Sequence, residues 1–266
     1  MSVRQADIER TLRELGLGAD SHVLVHTSYK AIGGVEGGPE AVARALVETL
    51  GTVLMPSFTS YRTAVWDPRG LVEHNAYPAE PPADWDGTAE PFTYDTPANR
   101  TMGVINETFR RAYPVARSAN PMVSFVAYGA LAEELCGEPG TAVDAVEPIR
   151  RLMEAGGDLL LLGVTHTNST SIHLAEQLAG REQFLRYAMT PGGVRAARSG
   201  GCGNAFIELQ PHVEHMERRA QLGNATLRCY ALQPYVEIAR QMIERDPYAL
   251  LCDCDRCRAH KARVAV

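Results

Sequence analysis

The chain has 266 residues, 45% of them hydrophobic and 22% charged, with a formal net charge of −6. That is enough apolar material for a sizeable core, in one large α/β unit or two small ones. The acidic balance argues against a general nucleic-acid binder, which would present a basic face, and is compatible with a cationic small-molecule partner. No apolar run approaches the ~20 residues a membrane span needs, and the first residues carry no apolar signal region, so a cytoplasmic protein with reduced cysteines is expected.

Residues 6–15 place Ile8, Leu12 and Leu15 at helical spacing and stop at Gly16. Residues 22–26 alternate as a strand. The loop that follows carries Thr27, Ser28, Lys30, Gly33, Gly34, Val35, Gly37 and Gly38, and Pro39 opens a helix to about residue 50. A glycine-rich loop at a helix start can offer backbone N–H groups to phosphates. This one fits neither the dinucleotide nor the Walker pattern, and a plain flexible turn is the competing reading. Residues 52–55 form a second short strand, left through Pro56 and Ser57.

Residues 61–96 then lose periodicity. Tyr61, Trp66, Tyr77, Trp85, Phe92 and Tyr94 stand there among many carboxylates. Such an excursion either walls a polar ligand or is a surface insertion packed by its own rings. A helix over 101–111 carries Glu107, residues 117–121 form a turn, and 123–128 a strand. Short helices are expected at 131–135 and 148–154. Further on come an edge strand at 184–189, a strand at 202–210, a charged helix at 211–219, a strand at 227–232 and a helix at 234–245. Strands alternating with helices give an α/β class with a mixed, largely parallel sheet flanked by helices. No repeat or clean linker divides the chain, so it is read as a single domain with an irregular insertion at about 60–100.

Residues 158–180 carry the chemistry. Leu159 to Leu162 is a wholly apolar run ending at Gly163, the pattern of a strand buried on both faces. A polar loop leads into a helix with Ile172, Ala175 and Leu178 inward. His173 and Glu176, three apart, share a face of its first turn. Ligands of open α/β sheets bind at that end of the strands. A histidine titrates near working pH, and a neighbouring carboxylate can orient the ring. His-x-x-Glu alone is a weak signal, since most such pairs are structural. Cys252, Cys254 and Cys257, followed by His260, would suit tetrahedral zinc; a reduced polar tail is the alternative.

Four stretches together resemble the aminoglycoside 3-N-acetyltransferase family. They are His26–Gly33 with Gly37–Glu40; Gly51–Thr59; Met102–Ile105 with Arg117–Pro121 and Ser124; and Leu160–Val164 with His173–Glu176. They occur in the family's order. The resemblance implies the antibiotic N-acetyltransferase fold, distinct from the common acetyltransferase fold. It implies acetyl-coenzyme A as co-substrate, no catalytic metal, and acetylation of the 3-amino group of a 2-deoxystreptamine antibiotic by a monomer or homodimer. By the same resemblance His173 and Glu176 are the catalytic pair. His26, Thr27, Ser28, Lys30, Gly33, Gly34, Val35, Gly37, Gly38 and Ser57 lie by the coenzyme, and Tyr61, Asp95, Glu107, Asn120 and Glu176 by the antibiotic. Three rivals stand beside it: a biosynthetic N-acetyltransferase acting on an aminosugar, nucleoside or phosphonate amine; a zinc hydrolase built on His166, His173 and Glu176; and a coenzyme-binding protein without turnover.

Overall fold

The computed structural model describes residues 2–65, 88–137 and 144–264. Its centre is a seven-stranded sheet in the order β3-β4-β2-β1-β5-β9-β8. The strands are β1 (His22–Thr27), β2 (Thr52–Pro56), β3 (Ala116–Arg117), β4 (Phe125–Gly129), β5 (Asp158–Leu162), β8 (Arg218–Leu222) and β9 (Ala225–Ala231). β1 pairs in parallel with β2 on one side and β5 on the other. β4 and β9 each run against both of their neighbours, so the other five strands point one way.

The pleat sorts the apolar runs. Val23, Val25, Val53, Met55, Leu160 and Leu162 face one core with Ile8, Leu12, Val42, Leu46, Ile105 and Phe109. Those last residues come from α1 (Gln5–Glu14), α3 (Gly38–Thr49) and α5 (Val104–Ala112). Leu24, Leu54, Leu159 and Leu161 face the opposite core, against α7 (Glu147–Glu154), α8 (Ser171–Leu178) and α10 (Leu232–Arg245). A continuous run such as Leu159–Leu162 thus reflects burial on both faces, with alternate residues entering different cores.

Connectivity makes a crevice. From β1 the chain crosses to β2 through α3 on one face, and from β5 it enters α8 on the other. The carboxyl ends of β1 and β5 are therefore a topological switch point, where diverging loops leave a gap for ligands.

Several expected elements differ. Residues 202–210 form a 3-10 stretch, Asn204–Leu209, in which Ala205, Phe206 and Leu209 are buried and Ile207 is exposed, helical rather than alternating spacing. The helix expected over 211–219 shrinks to α9 (Gln210–Val213) and a 3-10 turn, Glu214–Met216. Arg218 instead begins a strand, pinned by its side chain to Asp158 and to the Leu15 carbonyl. The strand at 184–189 is present as β6 (Phe184–Thr190). It pairs not with the main sheet but with β7 (Gly193–Ser199), whose polar sequence hid it.

The described part of the irregular insertion is tied by backbone bonds to β6 and Phe58 and by one buried cation. Arg117, 4% exposed, donates to the carbonyls of Tyr94 (2.9 Å), Thr96 (2.5 Å) and Ser57 (2.9 Å) and to Ser124 Oγ (3.1 Å). It also lies 5.2 Å from the centre of the Phe92 ring. Burial lowers its pKa to about 10, leaving it charged at neutral pH. Arg117→Met would strand the Tyr94 and Thr96 carbonyls and should cost on the order of 3 kcal/mol. Urea denaturation would show this as a lower midpoint with unchanged slope; an unchanged midpoint would show that Arg117 does not hold the segment.

Candidate active site

At the switch point lies a cleft of about 620 Å³, lined by Thr27–Lys30, by Thr101, Gly103 and Val104, and by Gly163–Thr165 with Asn168. Two loops approach closely here. Gly163 has φ +68°, and a Cβ on it would lie 2.7 Å from Ala31 Cβ, so only glycine passes without displacement. Asn106 of α5 binds the two strand ends together: it accepts from Thr27 Oγ1 at 3.0 Å and donates to the Pro56 carbonyl at 2.8 Å. Ser28 caps the short helix α2 (Tyr29–Ile32) by accepting from Ala31 N. Lys30 is exposed at the rim and supplies the cleft's cation.

His173 and Glu176 sit on the helix that the Gly163–Asn168 wall leads into. His173 Nδ1 is 2.6 Å from Glu176 Oε2, and Arg181 donates to Glu176 Oε1 at 2.6 Å. Arg181 is fixed in turn by the carbonyls of Pro247 (3.0 Å) and Ala249 (2.7 Å). Burial pushes the Glu176 carboxyl up, but His173 and Arg181 together outweigh it and hold the group below its ordinary value. With Nδ1 facing the carboxylate, Nε2 is the nitrogen left for proton transfer. The ring packs edge-on to Phe206, centroids 5.0 Å apart, and a Cβ at Gly200 would fall 2.3 Å from His173 Cγ. Gly200 thus leaves the space the imidazole fills. The side chain is 15% exposed, neither buried whole nor free in solvent, and it does not itself line the cleft.

The remaining expected residues divide by place. Thr27, Ser28 and Lys30 meet in the cleft. His26 is 4% exposed; burial lowers its pKa to about 3, and its neutral Nε2 takes the hydroxyl (3.2 Å) and N–H (3.4 Å) of Thr170. It joins the end of β1 to the start of α8. Gly33, Gly34, Val35, Gly37 and Gly38 lead away from the cleft. Val35 bridges to Val3, Gly34 accepts from Val3 N, and Gly37 lines a separate hollow of about 350 Å³ with Arg4, Glu40 and Arg44. Ser57 is buried beside β4, its N–H on the Ser124 carbonyl.

Of the residues expected by the second substrate, Tyr61 is 48% exposed and Asp95 is exposed. Glu107 is held by Arg110 (2.7 Å) and the Ala98 N–H (3.2 Å), and these bonds keep its pKa low against burial. Asn120 is 1% exposed and spends its amide on backbone, donating to the Arg198 carbonyl and accepting from Met122 and Val123 N–H. Glu176 has both oxygens occupied. Phe92 is buried and Tyr94 exposed, while Trp66, Tyr77 and Trp85 lie outside the described residues.

The hydrolase arrangement does not assemble. His166 is fully buried, stacked on Tyr235 with Nδ1 2.8 Å from its hydroxyl, and burial takes its pKa down to about 4. Among the described residues the group with metal-ligand spacing is Cys202, Cys252, Cys254 and Cys257. His260 is not part of it; that ring lies on Phe184, centroids 4.2 Å apart. Sequence reasoning missed Arg181, Asn106, Gly200 and Cys202, each brought to its partner by the fold. No described helix is long and apolar enough to cross a membrane.

Comparison with known proteins gives the family and the fold. The family described as aminoglycoside 3-N-acetyltransferase matches residues 24–244. Aminoglycoside N(3)-acetyltransferase III of a Salmonella species is 37% identical over 194 residues, covering 71% of this chain and 66% of that protein's length. The crystal structure of YokD from Bacillus subtilis superposes with a TM-score of 0.79 at 27% identity, covering 93% of this chain and 95% of that one. A histidine-to-alanine variant of aminoglycoside acetyltransferase AAC(3)-IVa, solved in complex with a gentamicin, gives 0.79 at 26% identity over 98% of both chains. The matched span includes both walls of the cleft and the His173–Glu176–Arg181 chain, and the protein belongs to the aminoglycoside 3-N-acetyltransferase family.

Proposed function

We propose that the protein transfers the acetyl group of acetyl-coenzyme A to the 3-amino group of a 2-deoxystreptamine aminoglycoside, with His173 as general base. One observation carries this reading: an imidazole bonded through Nδ1 to a buried, ionised carboxylate, beside a crevice at the switch point of the sheet. The names and ligands of the family relatives supply the substrate class.

The chemistry follows from charge. An ammonium has no lone pair, so its proton must leave before nitrogen attacks the thioester carbonyl. His173 Nε2 takes it, and Glu176, held ionised by Arg181, stabilises the imidazolium that results. The C–N bond forms, and as the C–S bond breaks the nitrogen gives up a second proton that ends on the departing sulfur, so the coenzyme leaves as a thiol and the first proton passes from His173 to solvent. In the tetrahedral intermediate the oxyanion needs a donor. Ser28 suits it better than Thr27, because the Thr27 hydroxyl is committed to Asn106 while Ser28 Oγ only accepts from Ala31 N. Lys30 offers a positive charge to the coenzyme's phosphates at the rim. On the antibiotic side, Asp95 is an exposed carboxylate for the other ammonium groups, and Tyr61 an exposed ring. Glu107 and Glu176, already paired, act through the residues they hold.

Thiol release from acetyl-coenzyme A, followed across a panel of aminoglycosides with the product's regiochemistry, tests the reading. Release with acetylation at the 3-amino group is expected. Release only with a non-antibiotic aminosugar, nucleoside or phosphonate amine would move the reading to a biosynthetic role, and no release with any amine would overturn it. His173→Ala should lower kcat by about 10²–10⁴-fold while leaving ligand binding largely intact; full turnover by that variant would remove the base assignment.

Glu176 also sets a pH dependence of stability. Its folded pKa lies below the ordinary 4.5, so the unfolded chain takes up this proton first as pH falls. The stability it contributes is complete above 4.5 and is lost as pH falls through the folded value. Denaturation of the parent and Glu176→Gln across pH should show their difference greatest above about pH 5 and shrinking below it. A difference that grows on acidification would mean that Glu176 is protonated in the native state.

A further inference from the structure

We propose that Cys202, Cys252, Cys254 and Cys257 bind one zinc ion that ties the last helix of the chain to the segment seating His173. The four sulfurs all lie within 4.8 Å of one another. A tetrahedral zinc with Zn–S bonds of ~2.3 Å requires sulfur–sulfur edges of ~3.8 Å. The observed separations are 3.8 Å between Cys202 and Cys252 and 3.5 Å between Cys252 and Cys257. A disulfide would bring a pair to ~2.05 Å, and all four thiols are free. Two cysteines can be placed together by chance packing or as a redox pair; four whose sulfurs all lie within 4.8 Å of one another fit one soft divalent cation.

The surroundings suit thiolate ligands. The Asn204 N–H points at Cys202 Sγ, 3.4 Å away. Cys257 is fully buried, while Cys202, Cys252 and Cys254 are partly exposed, leaving a route for the ion. Four thiolates around Zn²⁺ leave two negative charges, and Arg256, Arg258 and Lys261 stand on the adjoining helix α11 (Asp255–Val264), the last two also paired with Asp255 and Asp253.

That helix supplies the second argument. It has ten residues, and only Cys257 and His260 are buried among its described side chains through residue 262. So short a helix with so small an apolar face is marginal without a tether. Cys202 lies two residues beyond Gly200, against which the His173 ring sits, and Cys252 lies three beyond Ala249, whose carbonyl holds Arg181. The ion would therefore join the two backbone segments that flank the His173–Glu176–Arg181 chain. The assignment stands on sulfur geometry and does not depend on acetyl transfer. Cys252, Cys254 and Cys257 fall outside the residues matched to the family.

Metal analysis of the full chain, purified under reducing conditions, should find one zinc per chain that survives gel filtration. Cys202→Ser and Cys254→Ser should each lose it, and Cys136→Ser should keep it. Cobalt-substituted protein should show the near-ultraviolet thiolate-to-cobalt charge-transfer band, a readout on the parent chain that serves even where a serine variant fails to fold. Removing the ion should raise amide hydrogen exchange in residues 200–203 and 252–262. The proposal is overturned if neither the purified nor the zinc-reconstituted chain retains the ion. It is equally overturned if Cys254→Ser keeps the full complement, if mass analysis finds native disulfides among these cysteines, or if the bound metal is iron.

Discussion

A carboxylate that is 4% exposed has to be compensated, and the way Glu176 is compensated organises the site. Isolated, such a group would take up a proton. Here an imidazole and a guanidinium each contact one oxygen at 2.6 Å, and the carboxyl stays ionised. The consequence for His173 is directional. Its Nδ1 faces a fixed negative charge, so the ring is held in one orientation with Nε2 turned away from the carboxylate. Arg181 adds to the larger effect of His173, because without it the buried charge would have one partner and a free lone-pair face.

The sheet order explains why that chain stands beside a crevice at all. β1 lies between β2 and β5, and the helices following β1 and β5 pack on opposite faces. The two loops diverge from adjacent strand ends, and Gly163 lets them start within van der Waals reach of each other. Asn106 and the neutral His26 then lock the strand ends to α5 and α8, taking up the Thr27 hydroxyl but leaving Ser28 and Lys30 to the cleft. One wall of the cleft is thus rigid backbone, while Ser28 and Lys30 project from a short capped helix.

Much of this was legible in the sequence because its signals are local. The Leu159–Leu162 run, the polar loop and the helical spacing of Ile172, Ala175 and Leu178 specify a strand-loop-helix unit, and His173 and Glu176 share a face at any helix register. What stayed hidden is contact that folding makes and local periodicity does not show. Arg181 comes after the Gly180 turn that ends α8, and nothing in its neighbourhood says that the chain folds back on Glu176. Cys202 stands 50 residues before Cys252, so the tail pointed to His260 as a fourth ligand, although that ring packs on Phe184. The glycine run read as one phosphate loop is divided by the fold: Thr27–Lys30 face the cleft, and Gly33–Gly38 are zipped to the N-terminal segment through Val3. β7 and β8 were missed because edge and hairpin strands with solvated faces carry charged residues where a core strand would carry valine or leucine.

The far end of the chain is therefore part of the site's support. Arg181 is positioned by the carbonyls of Pro247 and Ala249, just past α10. The next residue, Leu250, is fully buried with φ +61°, the one non-glycine residue with positive φ among the described residues. A left-handed leucine costs roughly 1–2 kcal/mol, and a residue persists there only when its surroundings over-determine it. Two things do so here: burial of the Leu250 side chain in the core shared with α8 and α10, and the requirement that the chain turn toward the four cysteines immediately after presenting Ala249 to Arg181. The left-handed turn at Leu250 thus follows directly on the carbonyl that holds Arg181, and it joins the C-terminal segment to the far end of the Arg181–Glu176–His173 chain.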